Sequence, residues 1–350
     1  MELPYKRYLI FEICYPLKIC YPVKPTNTGY YLAHLLTLER PIFYRDTETF
    51  THMPITAVQS RNSPDAQPSK SETSPEDWRK KAAAYKDMTG GLNVKPITVM
   101  LECLNSRFPL STATGILDDG CGPGPIMSRI IDEFGSSLPE SCILICSDFA
   151  PAMVEQVEGV KNRKISDDSD SLWNRVGTQV LDSMDLHSID DDSLSHVAAG
   201  WSFFNAKSPL KALTEARRVL QPGGVLAASS WAETDWLKIL RTITKIDPAR
   251  SPPSIPDDWA KAPNLKEQLK TAGYRDVEVY EVPVDIPFRS YESFIGVMMT
   301  RVTQMMNASQ DLPEEQMAKL KILMTEEMRS LCPTEPGVLK AVSLLAVGVK

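Results

Sequence analysis

The chain has 350 residues, 43% of them hydrophobic and 24% charged, with a net charge of −7. This is ample material for a buried core in one large domain or two small ones. The acidic balance argues against a nucleic-acid surface, which needs clustered Lys and Arg against phosphates, so the expected partner is a small molecule.

Seven cysteines, at 14, 20, 103, 121, 142, 146 and 332, include no C-x-x-C pair, and the four histidines lack ligand spacing. Reduced thiols and no metal site are expected. No stretch approaches the roughly 20 apolar residues of a membrane span. Residues 9–23 are interrupted by Glu12, Pro16, Lys18 and Pro22, which makes a poor signal sequence. A cytoplasmic protein with no membrane contact is expected.

Residues 1–75 differ from the rest. ICYPLK at 13–18 is nearly repeated by ICYPVK at 19–24, and the spaced prolines deny this segment a continuous helix. From 60 to 75 the chain is mostly Ser and Pro, with Asp, Gln, Lys and other polar residues and almost nothing to bury, the composition of a disordered linker. Met53 precedes this linker and offers an alternative start. The domain is expected over 76–350, with N-terminal helices at 76–110. The first is capped by Ser74, with Asp77 reaching back, and carries Trp78, Ala82 and Tyr85. The second runs over 95–105, with apolar residues at 97, 100, 101 and 104.

The chain then turns on Gly115-Ile116-Leu117-Asp118-Asp119-Gly120-Cys121-Gly122-Pro123-Gly124. A short apolar run ends in an acid, and three glycines follow at every second position. Pro125 opens an amphipathic helix through Ile126, Met127, Ile130, Ile131 and Phe134, a first helical position where its missing N–H has no partner anyway. The pattern reads as strand, tight turn, helix, with glycines letting backbone approach a ligand closely. Its G-x-G-x-G spacing differs from the G-x-G-x-x-G of a dinucleotide fingerprint.

Residues 142–146 form an unbroken apolar strand, as expected when both faces are buried, ending in Ser147-Asp148-Phe149. A helix through Met153 and Val157 follows, then a strand at 178–181 leading to Asp182-Ser183-Met184-Asp185-Leu186, and a strand at 194–200. Ser208-Pro209 starts a helix that Pro222-Gly223-Gly224 ends before the strand 225–230. Strands alternating with helices predict a doubly wound α/β sheet, whose ligands sit beyond the carboxyl ends of the strands. Asp148 there offers two acceptor oxygens suited to the hydroxyls of a ribose, or serves as a plain helix cap. Asp182 similarly ends the third strand and could face the same crevice, followed by Ser183-Met184. Asp190-Asp191-Asp192 reads as a solvated turn.

The segment 117–124 resembles the first motif of class I S-adenosylmethionine-dependent methyltransferases. Residues 145–153 are similar to the family's second-strand motif, 180–186 to its adenine motif and 216–224 to its fifth-strand entry, so the likeness spans roughly 76–282. It is particularly close to fungal methyltransferases of natural-product pathways, where Ser229-Ser230-Trp231 and Trp236 have similar counterparts. The resemblance implies a Rossmann-like, seven-stranded sheet with the last strand antiparallel and S-adenosyl-L-methionine as cofactor. It implies that Gly120, Gly122 and Gly124 line the methionine part, Asp148 holds the ribose, Phe149 and Met153 flank the adenine, and Asp182 with Ser183 reads its edge. Tyr85 and Asp118 look like contacts to the amino-acid end.

Methyl transfer from a sulfonium mainly requires alignment and exclusion of water. Acceptors that must lose a proton profit from a base, for which His187 and His196 are the candidates; a packed, hydrogen-bonded core histidine is the alternative for His196. After a sixth strand at 277–282, a helical insertion at 283–338 is expected to read the substrate. One helix, 290–306, carries Phe294, Val297, Met298, Val302 and Met305. Another, from Pro313, carries Met317, Leu320, Met324 and Met328. These methionines are either core or an adaptable lid over an apolar acceptor, and a final strand lies at 342–349. The leading expectation is methyl transfer to nitrogen or oxygen of an apolar small molecule in secondary metabolism. The alternatives are a quinone-type C-methyltransferase and a methyltransferase-like regulator acting through a protein partner. A nucleic-acid amino-methyltransferase is disfavoured, because residues 200–205 read GWSFFN instead of the N/D-P-P-Y/F acceptor loop.

Overall fold

The computed structural model describes residues 93–250, 252, 254–299 and 312–350. The N-terminal repeat, Met53, the linker, the helix expected after Ser74 with Tyr85, and residues 300–311 of the insertion lie outside these.

Seven strands form one sheet: β1 (Gly115–Asp119), β2 (Ile143–Asp148), β3 (Val176–Val180), β4 (Leu194–Ala199), β5 (Leu220–Trp231), β6 (Arg275–Phe288) and β7 (Gly337–Val349). Their order is β3-β2-β1-β4-β5-β7-β6. The first five pair in parallel, and β7 runs antiparallel between β5 and β6. The doubly wound sheet with a reversed last strand is therefore as expected. Winding reverses between β1 and β4, which opens a crevice at their carboxyl ends. All residues of β1 and β4 are buried, Asp118, Asp119, Ser195 and His196 included, and in β2, the unbroken apolar run, Leu144, Ile145 and Cys146 are buried.

Among the described residues the α-helices are α1 (Val94–Arg107), α2 (Pro125–Phe134), α3 (Pro151–Asp167), α4 (Pro209–Val219), α5 (Asp235–Arg241), α6 (Asp257–Ala260), α7 (Ala262–Thr271), α8 (Tyr291–Val297) and α9 (Glu314–Leu331). Proline occupies the first turn of α2, α3, α4 and α7. Its fixed φ suits that position and its missing donor costs nothing there. On α1 the residues Ile97, Met100, Leu101 and Leu104 are buried at helical spacing, and α1 packs on α2 and on β5, β6 and β7.

Three boundaries differ from the sequence expectation. Pro222-Gly223-Gly224 does not separate helix from strand: α4 ends at Val219 and β5 begins at Leu220, with a register shift against β4 between Leu194 and His196 that absorbs the irregular segment. The sixth strand extends well past residue 282, to Phe288, despite Pro283 and Pro287. It lies at the sheet edge, where a missing N–H need not break a ladder bond. The last strand begins at Gly337 and pairs with Phe288. The insertion expected at 283–338 therefore yields both ends to the sheet, and the helical part lies between Phe288 and Gly337.

The overhanging arms of β6 and β7 carry a second core. Val284, Ile286, Phe288, Leu339 and Ala341 pack with Ile239, Leu240 and Ile243 and with Ile295, Met298, Leu320, Met324 and Met328 of the insertion. Met298, Met324 and Met328 are buried in this cluster, so these three fill core space, while Met317 is half-buried. Trp231, at the end of β5, packs against this cluster and against the main sheet core as well.

Candidate active site

The turn after β1 has left-handed backbone at Gly120, Gly122 and Gly124, with φ of 69°, 53° and 81°. At Gly120 the need for glycine is double. Besides its φ, a Cβ there would stand 2.3 Å from Cβ of Ser202, whose hydroxyl donates to the Asp119 carbonyl at 3.0 Å. The turn is thus seated against the segment that follows β4. It is also tied to β2, because the Gly122 amide donates to Asp148 Oδ2 at 2.9 Å and the Cys121 amide to the Ser147 carbonyl at 2.9 Å.

Asp148 also accepts from the Ala150 amide through Oδ1 at 2.9 Å. The carboxylate shapes the entry to α3, but it is not the cap itself, which is Ala150. Each oxygen retains a second lone pair for a ligand hydroxyl. Burial raises its pKa against the pull of the Ala150, Gly122 and Phe149 amides. Beside it, Met153 and Ala150 are buried, with Phe149 packed against them, in a small apolar cluster apart from the main core.

Asp118 and Asp119 are wholly buried at the end of β1. Asp118 Oδ2 accepts from the Met127 amide of α2 at 3.1 Å, while Oδ1 is buried without a partner. Asp119 Oδ1 accepts from Ser183 at 2.8 Å and Ser147 at 3.2 Å, and its Oδ2 is likewise buried and unpartnered. Burial pushes both carboxyls from 3.8 up to about 7, and neighbouring acids add to the rise. The Cys121 and Cys146 thiols lie against each other beneath the turn; their mutual hydrogen bond and burial hold Cys121 well above its ordinary value.

The residues expected at the adenine edge are brought to the same end of the sheet. Asp182 is exposed and accepts from the Met184 amide through Oδ1 at 2.8 Å. Ser183 turns its hydroxyl away from this edge, to Asp119, so only its backbone remains for a ring. His196 is buried within β4, its Nδ1 2.8 Å from Ser195 Oγ and its Nε2 2.9 Å from the Phe108 carbonyl. Burial lowers its pKa; it is a packed core histidine. His187 is exposed, 3.6 Å from Asp185.

Two features escaped the reading of the sequence. One is the role of Asp119, whose partners come from β2 and the loop after β3. The other is the backbone of Trp201, one of the aromatics in 200–205 expected to wall a pocket or pack beneath the lid, which holds φ at 53°, a conformation that a bulky residue adopts only when its surroundings impose it. Its amide donates to Ser229 Oγ at 3.1 Å, and its carbonyl accepts from Asn205 at 3.0 Å. Its indole stacks on Trp231 with centroids 5.4 Å apart and planes at 20°, and the indole N–H is buried without a partner.

The methyltransferase-domain family matches residues 117–228 of this chain, from β1 to β5. Methyltransferase ucsB of an Acremonium species is 40% identical over 275 residues, covering 79% of this chain and 95% of that protein. The chain belongs to the class I S-adenosylmethionine-dependent methyltransferases. Acetylaranotin bis-thiomethyltransferase of Aspergillus terreus is 26% identical to this methyltransferase over 175 residues, 48% of this chain and 56% of that one. A phosphoethanolamine N-methyltransferase of Haemonchus contortus aligns structurally with a TM-score of 0.44 at 14% identity, over 78% of the methyltransferase and 57% of the other chain. The enzyme's cofactor is S-adenosylmethionine.

The residues at the crevice suit that group. Its net charge is positive, and among the described residues the hydrogen bonds and charges acting on Asp118, Asp119 and Asp148 include no cation. Two buried carboxylate oxygens lack donors, and the glycine turn leaves backbone bare beside them.

Proposed function

We propose that this methyltransferase acts on a nitrogen or oxygen of an apolar small molecule in secondary metabolism, in a cytoplasmic setting. The observation that carries the reading is the Trp201–Trp231 stack, which joins the carboxyl ends of β4 and β5 to the apolar core of the insertion. In this reading an apolar, planar acceptor lies against Trp231, the half-buried member of the stack, and is recognised through area and stacking. Among the described residues no helix is long and apolar enough to cross a membrane.

The cofactor supplies a methyl group on a sulfonium, displaced by a nucleophile. In this reading Asp148 receives the ribose hydroxyls through its remaining lone pairs, Phe149 and Met153 bound the adenine, and Asp182 with the Ser183 backbone reads the ring edge. Gly120, Gly122 and Gly124 admit the methionine part, and Asp118 Oδ1 accepts from its ammonium. The chain's work is then alignment and exclusion of water, which account for most of the rate in such a displacement. Neither histidine is placed as base: His196 has both ring nitrogens engaged, and His187 faces solvent. This favours acceptors that are nucleophilic near neutral pH without help, such as amines and acidic enols.

The test is transfer of labelled methyl from the cofactor to a panel of apolar amines, phenols, enols, thiols and quinols. Label on nitrogen or oxygen supports the reading. Label on carbon alone replaces it with quinone-type C-methylation, and label on sulfur alone replaces it with thiol methylation, the chemistry in the printed name of the Aspergillus terreus relative.

A further inference from the structure

Trp201 stands just beyond the carboxyl end of β4, one of the two strands between which the winding reverses. The next residue, Ser202, is seated on the cofactor turn through the Asp119 carbonyl and Gly120. The Trp201 indole itself stacks on Trp231 at the end of β5. Trp201 thus borders both the cofactor turn and the apolar side of the crevice.

Two properties of this residue are costly and have no structural return. Its backbone is held at a φ of 53°, clamped by Ser229 on its amide and by Asn205 on its carbonyl. It is only 7% exposed, and its indole N–H is buried without a partner. The hydroxyls at the ends of these strands are engaged elsewhere. Ser229 accepts from the Trp201 amide, Ser202 donates to Asp119, Ser230 donates to the Trp259 carbonyl and Ser343 to the Ser230 carbonyl. Trp173 also has a buried, unpartnered indole N–H, but it lies in the short turn Leu172–Arg175 that leads into β3, at the amino end of the sheet, away from the crevice.

We propose that the Trp201 indole N–H is a specificity determinant that donates to an oxygen of the methyl acceptor. The inference rests on the acceptor site read above, and it narrows the substrate class to planar apolar molecules that carry a carbonyl or enolate oxygen. Trp231 offers a flat contact that any planar apolar molecule satisfies. The indole nitrogen adds a polar criterion, because it is a donor only: a carbonyl or enolate oxygen completes it, and a hydrocarbon edge leaves it unpaired. The N–H becomes reachable when the half-buried Trp231 ring shifts, a side-chain adjustment of the kind common on binding. Water does not compete for the bond once the acceptor is seated, which raises its weight.

The probes are fluorenone and fluorene, planar apolar molecules that differ by one carbonyl oxygen. Each is titrated into the full chain saturated with S-adenosylhomocysteine, for the wild type and for Trp201→Phe, which keeps an aromatic ring and removes the N–H. The wild type should bind fluorenone about tenfold more tightly than fluorene, the equivalent of 1.4 kcal/mol and in the range expected for satisfying a buried donor. Trp201→Phe should lose this preference, while its affinities for fluorene and for S-adenosylhomocysteine stay within about twofold of the wild type. A purely structural role for Trp201 would instead weaken both probes alike. That outcome, equal wild-type affinities, or a preference that survives in the variant overturns the proposal and leaves the acceptor surface standing. Failure of either probe to bind the wild type in its S-adenosylhomocysteine complex overturns the acceptor-site reading together with it. Should Trp201→Phe not fold, a crystal structure of the fluorenone complex decides: the carbonyl oxygen lies within hydrogen-bond distance of Trp201 Nε1, or the proposal is overturned.

Discussion

Replacing Gly120 by alanine perturbs the cofactor turn in two separable ways. The backbone must keep φ near 69°, which for a residue with a Cβ costs about 1–2 kcal/mol. The new methyl would also stand 2.3 Å from Ser202 Cβ and 2.8 Å from its Oγ, and relieving such overlap in a packed site costs about 1–3 kcal/mol. The sum is a loss of roughly 2–5 kcal/mol, read as a lower urea midpoint at unchanged slope. Because the displaced Ser202 hydroxyl holds the Asp119 carbonyl, affinity for S-adenosylhomocysteine should fall at least about tenfold, the equivalent of 1.4 kcal/mol. Adding Ser202→Gly to Gly120→Ala removes the overlap but not the φ strain. The double variant should therefore recover roughly half of the stability, judged against Ser202→Gly alone. The reasoning fails if Gly120→Ala unfolds and binds like the wild type, or if the second substitution recovers nothing.

Burial raises Asp118 and Asp119 from 3.8 to about 7, so the folded form binds protons more tightly than the unfolded one. Their contribution to stability is fully present below the unfolded value and is lost as pH rises through 7. A shift of this size is worth at most about 4 kcal/mol per group, and coupling makes the pair worth less than twice that. Urea midpoints without ligand should therefore fall between pH 5 and pH 8, and saturating S-adenosylmethionine should reduce the fall. In the second core, Met324→Ala empties a fully buried position between α9 and its neighbours and should cost about 2–5 kcal/mol. Affinity for S-adenosylhomocysteine should stay within about twofold, or 0.4 kcal/mol, because the cluster does not include the glycine turn; the KM for the acceptor should rise.

Much of this was legible because the informative residues are close together in sequence. The acid, the three glycines and Pro125 occupy eight consecutive positions, and both the turn and α2 follow from local backbone preferences. The place of Asp148 at the end of β2 was legible for the same reason, since a buried strand ending in an acid is a local pattern. Asp119 was not. Its meaning lies in two serines, 28 and 64 residues away, that only the sheet brings together. Trp201 likewise carries no local mark of its positive φ, which the Ser229 and Asn205 contacts and the Trp231 stack impose. The sixth strand was expected only over 277–282, and a chain scanned in order does not show that β6 is an edge strand, where Pro283 and Pro287 are tolerated. Pro222-Gly223-Gly224 read as a helix exit for a similar reason, since the bulge between β4 and β5 is a property of two strands. The methionines of the insertion were ambiguous by nature: helical spacing serves core and lid equally, and only packing assigns Met298, Met324 and Met328 to the core.

The central claim is that the cofactor sits over the glycine turn with its ribose on Asp148. Calorimetric titration of S-adenosylhomocysteine into the wild type and into Asp148→Ala tests it most directly, with urea midpoints establishing that the variant is folded. The account predicts one site per chain in the wild type and an affinity reduced by at least about a hundredfold, roughly 3 kcal/mol, in the variant. A folded Asp148→Ala protein that binds as tightly as the wild type would contradict it.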